Sequence, residues 1–415
     1  METHPLYPRF AAARLTEALA DTPVVLIHGP RQCGKTTLAR RVGGELGFSY
    51  FTFDDTATVE AAAADPVGFV ADLPRHAILD EVQRVPRLFT ALKVAVDRDR
   101  APGRFLLTGS ANVLFVPALA DSLAGRMEIL RLFPLGQGEL AGAEPDFLRR
   151  LFSGGFKTRR RERLGQELTE RIVAGGFPAA LVRSSSRRRA AWYRDYIEAL
   201  VQRDVRDLAR IASLDALPRL LALAAGQTAR LLNVSELAGP FSLSRPTIRD
   251  YLTLLERIFL VEEVPSWHTN RLKRLVKTPK IHVADTGVAC ALLGIDTASL
   301  HRDRATLGQM LETFVFAELR RQSSWEEDPV RFHHFRDKDG YEVDLVLERG
   351  GDIAGVEVKA AASVTSSDFR GMRKLRDAAG ERFASGVVLY DGETSAGFGD
   401  RFFAVPVRML WEPES

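Results

Sequence analysis

Eight residues near the N-terminus have the types and the spacing that phosphate binding requires. The run Gly29-Pro-Arg-Gln-Cys-Gly-Lys-Thr36 lies between the apolar stretch Val24–Ile27 and a helical stretch, and it fits the pattern G-x-x-x-x-G-K-[ST]. Its glycines let the backbone curl, so that N–H groups and a helix N-terminus face phosphate oxygens. An ordinary glycine turn before a helix is the alternative. The predicted ATP contacts are Gly29, Pro30, Arg31, Gln32, Cys33, Gly34, Lys35, Thr36 and Thr37.

Two residues of this run, and an acidic pair further on, have defined roles in phosphoryl transfer. Lys35 would neutralise the β and γ phosphates, and the Thr36 hydroxyl would bind Mg²⁺. The apolar strand Ala77-Ile-Leu ends in Asp80 and Glu81. Asp80 would enter the magnesium shell, and Glu81 would polarise the attacking water. Taken alone, an acidic pair at the end of a strand is often part of a solvated loop.

Two further residues are candidates for the same reaction. Ser110 follows the apolar strand Phe105–Thr108 and suits sensing of the γ-phosphate, although Thr108 and Asn112 are alternatives for that role. Arg126 is the candidate arginine finger, because a guanidinium stabilises the charge that develops during phosphoryl transfer. A surface ion pair is the alternative for Arg126. If Arg126 acts on a neighbouring subunit, the active species is a homo-oligomer.

Residues 228–300 have the pattern of a winged helix. Two helix starts flank a glycine-proline turn, and Ser244 is the predicted N-cap of the second helix. Polar residues near that N-terminus face outward, where recognition helices contact DNA, and a basic loop ending at Lys280 follows as a candidate wing. A protein-interaction or lid module with a solvated loop is the alternative. The predicted DNA contacts are Arg245, Thr247, Arg249, Arg271, Lys273, Arg274 and Lys277.

The last part of the chain carries acidic residues in the arrangement of metal-dependent nucleases. Asp344 lies on one predicted strand, and Glu357 and Lys359 share a face of the next. Glu312 interrupts an apolar helical run, where an unpaired carboxylate is costly, so a metal ion or a lysine must satisfy it. The carboxylates would hold Mg²⁺ and Lys359 would orient the attacking water. An edge strand without chemistry, or a domain that only binds DNA, is the alternative.

The segments around these candidates predict the fold that positions them. From about Thr22 to Leu140, short apolar strands alternate with amphipathic segments, which indicates a parallel sheet covered by helices. The basic, glycine-containing stretch 153–164 is interpreted as an exposed connection, and helical periodicity then indicates a lid or bridge. The predicted strands are Val24–His28, Tyr50–Phe53, Ala77–Asp80, Phe105–Thr108 and Met127–Leu132.

Composition restricts the functional classes. A chain of 415 residues with a net charge of +3 has room for several domains but does not indicate polyanion binding by charge alone. Cys33 and Cys290 are the only cysteines, which excludes a disulfide framework and favours a reducing, cytoplasmic setting. No apolar stretch approaches the ~20 residues that cross a bilayer, so we expect no membrane partner.

Taken in order, the motifs resemble those of a family of bacterial and archaeal AAA-type ATPases with a C-terminal nuclease-like domain. The resemblance covers nearly the whole chain and implies ATP binding and hydrolysis. The four C-terminal candidates resemble the PD-(D/E)XK nuclease constellation, which implies DNA as partner and branched or structured DNA as target. The resemblance rests on Gly29–Thr37, Leu79–Gln83, Thr108–Ser110, Leu123–Arg126, Gly175–Pro178, Tyr196–Asp204 and Asp285–Gly287.

The predicted fold class is α/β, with a P-loop NTPase parallel sheet, a helical lid, a winged helix and a PD-(D/E)XK-like α/β domain. The leading hypothesis is an ATPase that acts on DNA, with ATP and Mg²⁺ as cofactors. The alternative is an ATP-dependent switch that binds a protein or one DNA sequence and cuts nothing. The predicted domains are 1–160 (AAA-type P-loop ATPase), 161–227 (lid or bridge), 228–300 (winged helix) and 301–415 (nuclease-like).

Overall fold

The N-terminal unit is built on a parallel sheet of short apolar strands. The computed structural model describes residues 6–110, 123–202, 216–241, 243–270, 274 and 277–413. The strands are β1 Val24–His28, β2 Ser49–Thr52, β3 Ala77–Asp80, β4 Phe105–Gly109 and β5 Met127–Arg131. Their order is β2-β3-β4-β1-β5, and every pairing is parallel. All five predicted strands are confirmed, with bounds that differ by one residue at most.

Helices cover both faces of this sheet because its central strands are apolar on both sides. Strands β1, β3 and β4 are buried at every position, and a separate apolar core lies on each face. Strands buried in this way are typical of parallel sheets covered by helices. The helices are α1 Ala11–Asp21, α2 Lys35–Glu45, α3 Thr56–Ala64, α4 Pro66–Asp72 and α5 Leu88–Arg98, with a 3₁₀ turn at Val82–Arg84.

The middle of the chain is mainly helical and contains a three-stranded antiparallel sheet. The connecting elements are α6 Gln137–Ala141, α7 Phe147–Ser153 and β6 Arg159–Arg160. The middle elements are α8 Gln166–Ala174, α9 Pro178–Leu181, α10 Ser186–Leu200, α11 Ala216–Gly226, β7 Arg230–Leu231, α12 Val234–Ala238, α13 Arg245–Arg257, β8 Val261–Val264, β9 Lys280–Val283, α14 Thr286–Leu293 and α15 Thr297–Arg302. The strand order is β7-β9-β8. The predicted N-cap is confirmed, because the Ser244 side chain accepts a hydrogen bond from the Thr247 backbone N–H.

The C-terminal unit is a mixed sheet with one long helix against it. The elements are α16 Arg304–Ser323, β10 Val330–Arg336, β11 Glu342–Arg349, β12 Asp352–Lys359, α17 Arg370–Ala379, β13 Phe383–Tyr390, β14 Thr394–Gly397 and β15 Phe402–Pro406, with 3₁₀ turns at Ser366–Phe369, Gly380–Arg382 and Val407–Leu410. The sheet order is β10-β11-β12-β13-β15-β14-β6. Only the β12–β13 and β13–β15 pairings are parallel in the described sheet.

The stretch 153–164 is largely exposed, as the sequence suggested, but it also contributes a strand to the C-terminal sheet. It supplies β6, which pairs with β14 at the edge of the C-terminal sheet. Arg160 and Arg163 form ion pairs with Glu393 and Asp391 of the same unit. The basic run therefore binds residues more than two hundred positions away, as the separation between Arg163 and Asp391 shows.

One apolar core continues from α7 through the middle helices and the three-stranded sheet into the C-terminal unit. The other face of the C-terminal sheet has its own core. The lid region, the three-stranded sheet and the C-terminal unit are therefore packed together. In the described ranges, no helix is both long enough and apolar enough to span a membrane.

Candidate functional site

The loop between β1 and α2 has the backbone shape that its glycines predicted. Gly34 is the N-cap of α2 and has a φ of 102°, a conformation that favours glycine. Gln32 is also left-handed, with a φ of 60°. At Gly29, a Cβ atom would lie 2.1 Å from the Leu132 carbonyl oxygen, so no side chain fits there. Both glycines of the motif are therefore required by local geometry.

The Lys35 ammonium is buried in this loop, and among the described residues its hydrogen-bond partners are neutral oxygens. Its Nζ donates hydrogen bonds to the backbone carbonyls of Gly29 at 3.1 Å and Pro30 at 2.8 Å. The Cys33 thiol is wholly buried, and burial raises its pKa. Cys33 therefore supplies backbone to the loop, while its side chain packs in the core of the sheet.

An arginine that the sequence analysis missed supports the loop from outside. Arg9 donates from Nη1 to the Cys33 carbonyl at 2.7 Å and from Nη2 to the Phe133 carbonyl at 2.6 Å. Its Nε donates to the buried Glu139 carboxylate at 2.9 Å. Arg9 lies 130 positions before Glu139 in the chain, so no local pattern indicated the contact.

Asp80 lies at the end of β3 and is bonded to the residue predicted to share its metal ion. Thr36 Oγ1 donates to Asp80 Oδ1 at 2.9 Å, and the Thr108 hydroxyl donates to the same carboxylate. The Tyr50 hydroxyl donates to Asp80 Oδ2 at 2.7 Å; partial burial and this bond raise the pKa of Tyr50 to about 12. A hydroxyl and a carboxylate at this position are hard oxygen ligands, so Thr36 and Asp80 fit a magnesium ion.

Glu81 is held in an unusual backbone conformation beside the loop. Its φ of 57° and ψ of 43° lie in the left-handed region, and its backbone N–H donates to Thr108 Oγ1 at 3.2 Å. The Gln83 amide donates both to the Glu81 carboxylate and, at 3.2 Å, to Ser110 Oγ. Thr108 and Gln83 thus connect the ends of β3 and β4, and the sequence had indicated Thr108 only as an alternative sensor.

A cavity of about 390 Å³ opens next to Glu81 and the phosphate loop. Helix α10 forms the opposite wall, where Trp192 and Tyr196 stack with ring centroids 5.1 Å apart. The Tyr196 hydroxyl donates to the Arg31 carbonyl at 3.3 Å. The loop is therefore in direct contact with the middle part of the chain.

Arg126 lies just before β5 and is paired within the chain. Its Nε and Nη2 donate to the two Asp97 carboxylate oxygens at 2.7 and 3.1 Å. This bidentate hydrogen bond is the main reason that the pKa of Asp97 is lowered. In the single chain Arg126 forms the surface ion pair that was its alternative interpretation, and the arginine-finger role stays a prediction.

The predicted DNA contacts are found in different environments. Arg245 is exposed at the start of α13, and Lys277 is exposed in the segment between β8 and β9. Arg249 forms a bidentate ion pair with Glu263, at 2.7 and 2.9 Å. Thr247 Oγ1 lies 2.8 Å from the N-cap hydroxyl. Arg271 and Lys273 lie outside the described residues.

Arg274 is a correction to the predicted DNA surface. Its side chain is 8% exposed, and Nη1 donates to Glu348 Oε2 of β11 at 2.6 Å. The guanidinium also lies over the ring of the buried Trp267. An arginine that is buried and paired in this way is not available to a phosphate backbone.

The reason is that the described residues of the wing segment, which is the stretch 265–279 between β8 and β9, contact the C-terminal unit. The Trp267 backbone N–H donates to the His334 carbonyl at 2.6 Å, and the His334 backbone N–H donates to the Pro265 carbonyl at 3.0 Å. The His334 ring donates from Nε2 to the Thr278 carbonyl at 3.0 Å. Where it is described, the wing segment thus contacts protein at both ends.

Lys280 is not part of a solvated basic loop, as the sequence suggested. It is the first residue of β9, and its side chain is buried between two of the predicted nuclease carboxylates. Nζ lies 2.7 Å from Glu312 Oε1 and 3.2 Å from Asp344 Oδ1. Although burial opposes its charge, these carboxylates raise the pKa of Lys280 above its ordinary value.

The remaining nuclease candidates lie beside this pair. Asp344 Oδ2 accepts a hydrogen bond from the Val358 N–H at 2.9 Å, and Lys359 Nζ lies 3.1 Å from Glu357 Oε1. Burial, and next the Asp344 charge, raise the pKa of Glu357 to about 8. Among the described residues, no set of three or more His, Cys, Asp and Glu side chains is arranged to hold a metal ion. The Lys280 ammonium instead occupies the space between Glu312 and Asp344.

The motifs Gly175–Pro178 and Asp285–Gly287, which had no assigned role, contact each other in a buried position. Asp285 accepts hydrogen bonds from the backbone N–H groups of Gly176 at 2.8 Å and Gly287 at 2.9 Å, and from Arg321 Nη2 at 3.0 Å. A Cβ atom at Gly287 would lie 2.5 Å from the Tyr193 ring. The glycines and the aspartate of these motifs therefore hold the lid region, α14 and α16 together.

Comparison with known proteins agrees with the N-terminal site. A family model described as an AAA domain matches residues 21–141, and two models described as domains of unknown function match residues 165–299 and 307–410. The uncharacterized proteins Rv2008c of Mycobacterium tuberculosis and Mb2031c of Mycobacterium bovis are each 34% identical over 404 residues, which cover 97% of this chain and 84% of each relative.

Among solved structures, the Walker-type ATPase PABY2304 of Pyrococcus abyssi aligns at 17% identity with a TM-score of 0.43, covering 69% of this chain and 96% of that chain. This score is too low to support an argument about the present chain. The AAA-domain match, in contrast, spans the phosphate loop, Asp80 and Glu81. The chain therefore belongs to the same family as these mycobacterial proteins and contains an AAA-type P-loop ATPase domain.

Proposed function

We propose that the protein binds and hydrolyses ATP and uses the nucleotide cycle to act on DNA. The observation that carries the first part is the hydrogen bond from Thr36 to Asp80, with Glu81 next in the chain. Lys35 would exchange its carbonyl partners for phosphate oxygens, Thr36 and Asp80 would hold the magnesium ion, and Glu81 would accept a proton from the attacking water. Magnesium, when bound, neutralises charge on the β and γ phosphates.

Gln83 and Ser110 are the positioning residues in this proposal. The Gln83 amide fixes the Glu81 carboxylate and joins it to Ser110. A carboxylate that is oriented before the substrate arrives needs less reorganisation during the reaction. The sensor role therefore belongs to a connected group at the ends of β3 and β4.

The proposed route from ATP to the rest of the molecule begins at α10. Tyr196 contacts the phosphate loop, and Tyr196 also belongs to the apolar core that continues into the C-terminal unit. If the phosphate loop changes conformation between nucleotide states, the contact with Tyr196 would therefore shift the packed helix α10. Helices that pack in this way shift as rigid elements, which supports coupling over a distance.

The DNA part of the proposal rests on the unit that contains α13. Its order of helix, strand, two helices and two strands supports the assignment as a winged helix, with Arg245 exposed at the start of the recognition helix. The long helix and mixed sheet around Glu312 and Asp344 support a PD-(D/E)XK-like C-terminal domain. Branched DNA is the proposed target because of the resemblance to junction-resolving nucleases.

The test is ATP turnover in the presence of duplex, single-stranded, forked and four-way DNA. We expect at least one branched DNA to stimulate turnover and to bind the protein. Arg245→Ala should reduce both effects, whereas the control Arg87→Ala, an exposed arginine of the ATPase unit, should not. Turnover without any response to DNA would reject the DNA part and leave the ATPase part standing.

A second candidate is an ATP-dependent switch that binds a protein and cuts nothing. Three of the basic residues first interpreted as a DNA surface form ion pairs within the chain, which favours this alternative: Arg249, Arg274 and Lys280. A switch of this kind predicts stoichiometric ATP-dependent binding of a protein partner and no DNA stimulation.

We propose that the protein is a homo-oligomer in which Arg126 of one subunit acts at the ATP site of its neighbour. An Arg126→Ala chain that is inactive alone should restore turnover to a Lys35→Ala chain on mixing, because each would supply what the other lacks. A fully active monomer would contradict this proposal.

A further inference from the structure

We propose that Lys280 is an internal cation that closes the carboxylate site of the C-terminal unit. In this arrangement a divalent metal ion enters only when the Lys280 side chain withdraws. The inference rests on the proposed function in one respect, namely that Glu312 and Asp344 belong to a cation site. It adds what regulates that site, and it assigns the regulation to a residue of β9.

The position of the ammonium group carries the first step. Glu312 comes from α16, Asp344 from β11 and Lys280 from β9, so three elements deliver their side chains to one point. Nζ bonds to both carboxylates at 2.7 and 3.2 Å, and the lysine side chain is 7% exposed. A metal ion bound to the same two oxygens would be repelled by the ammonium at close range. The two cations therefore exclude each other.

A second group on β9 faces the same carboxylate. His282 lies two residues after Lys280 and is wholly buried. Its Nε2 lies 4.0 Å from Glu312 Oε1, too far for a hydrogen bond, and has no hydrogen-bond partner among the described residues. A buried nitrogen without a partner is costly, and imidazole is a common metal ligand. His282 therefore places an imidazole nitrogen without a hydrogen-bond partner beside the Glu312 carboxylate.

Backbone contacts on both sides fix the position of Lys280. Lys280 pairs with Leu231 of β7 and with Val264 of β8 in the three-stranded sheet. Thr278, two residues before it, accepts a hydrogen bond from the His334 ring of β10. The backbone of Lys280 is therefore held in place, and the change that opens the site in this proposal is a movement of the Lys280 side chain.

The experiment measures Mn²⁺ binding by electron paramagnetic resonance in the full chain without nucleotide. All proteins carry Asp80→Asn, which removes the metal ligand of the ATP site. Lys280→Met removes the ammonium but keeps an unbranched side chain. It should bind Mn²⁺ at least about tenfold more tightly than the parent. Adding Asp344→Asn to Lys280→Met should abolish the gain.

Lys280→Arg is the matched control, because it retains a cation and should bind Mn²⁺ as poorly as the parent. Asp344-dependent Mn²⁺ binding in the parent as tight as in Lys280→Met would overturn the proposal. So would a Lys280→Met protein that gains no site. If Lys280→Met does not fold, Lys280→Gln with Mn²⁺-dependent melting gives the same comparison: Mn²⁺ should raise its melting temperature and leave that of the parent unchanged.

Failure of the proposed function gives a different result. A Lys280→Met protein that binds Mn²⁺ but does not cut DNA supports closure and rejects nuclease activity. ATP turnover that ignores DNA likewise leaves the Mn²⁺ comparison intact. The two conclusions can therefore be judged separately.

Discussion

Two buried lysines, Lys35 in the phosphate loop and Lys280 at the start of β9, differ in the charge of their partners. Each is 5% exposed, and each ammonium binds two oxygens. The partners of Lys35 are neutral backbone carbonyls, whereas those of Lys280 are the carboxylates of Glu312 and Asp344. Burial alone therefore does not distinguish a lysine that can exchange its partners for a bound phosphate from a lysine that occupies the place of a metal ion.

The energies explain this difference. A hydrogen bond between uncharged groups contributes about 1 kcal/mol net, whereas breaking a buried ion pair costs about 3–5 kcal/mol. Phosphate offers Lys35 a better partner than two carbonyls, so the exchange is favourable. For Lys280 the best partners are already present, so the ammonium stays where it is.

The largest effect should come from Lys35→Ala. Without the ammonium, the β and γ phosphates lose their neutralising group, and we expect ATP turnover to fall to background. A steady-state phosphate-release assay measures this. Lys374→Ala, an exposed lysine on α17, is the control and should retain full turnover. Normal turnover in Lys35→Ala would reject the phosphate-loop site.

Glu81→Gln should slow ATP hydrolysis without weakening ATP binding. The variant loses the group that accepts a proton from water but keeps the shape of the side chain, so turnover should fall at least ~100-fold with ATP affinity unchanged. Titration with a fluorescent ATP analogue and single-turnover kinetics measure the two quantities. If ATP affinity falls in step with turnover, Glu81 has a binding role instead.

Unfolding of nucleotide-free protein tests the two lysines directly. Lys280→Met leaves two buried carboxylates without a cation and should lower the free energy of unfolding by about 3–5 kcal/mol. Lys35→Met leaves only neutral carbonyls and removes a buried charge, so its cost should stay within about 1 kcal/mol. Urea denaturation measures both. Equal costs would contradict the distinction between the two sites.

The smallest expected effect is a pH dependence of stability that arises from His334, which contacts the wing segment. Burial lowers the pKa of His334 from 6.5 to about 4. Between these values the unfolded chain binds more protons than the folded chain, so stability is present above pH 6.5 and is lost as pH falls toward 4. His334→Gln keeps a donor for Thr278 but cannot titrate, so its stability should fall less over this range. Urea unfolding at several pH values measures the difference, and an unchanged pH dependence would contradict it.

Features that depend on neighbours in the chain were predicted from the sequence. The five strands of the ATPase sheet are short apolar runs, and the phosphate loop is a contiguous motif whose glycines allow the curled backbone that is seen at Gly34. The N-cap at Ser244 follows from local hydrogen bonding. The contact between Thr36 and Asp80 was expected from two separate motifs 44 positions apart; their side-chain oxygens lie 2.9 Å apart, and the shared metal ion stays a prediction.

Only the tertiary structure decided the partners of isolated charged residues. The sequence indicated that Glu312 needs a metal ion or a lysine, and the fold supplies Lys280, 32 positions away. Arg274 was interpreted as a DNA contact because its partner, Glu348, lies 74 positions away on β11 of the C-terminal unit. The periodicity of apolar residues predicts which side of a helix or strand is buried. It does not predict which distant residue will form an ion pair with a given charged side chain, because that pairing is fixed only when the units pack together.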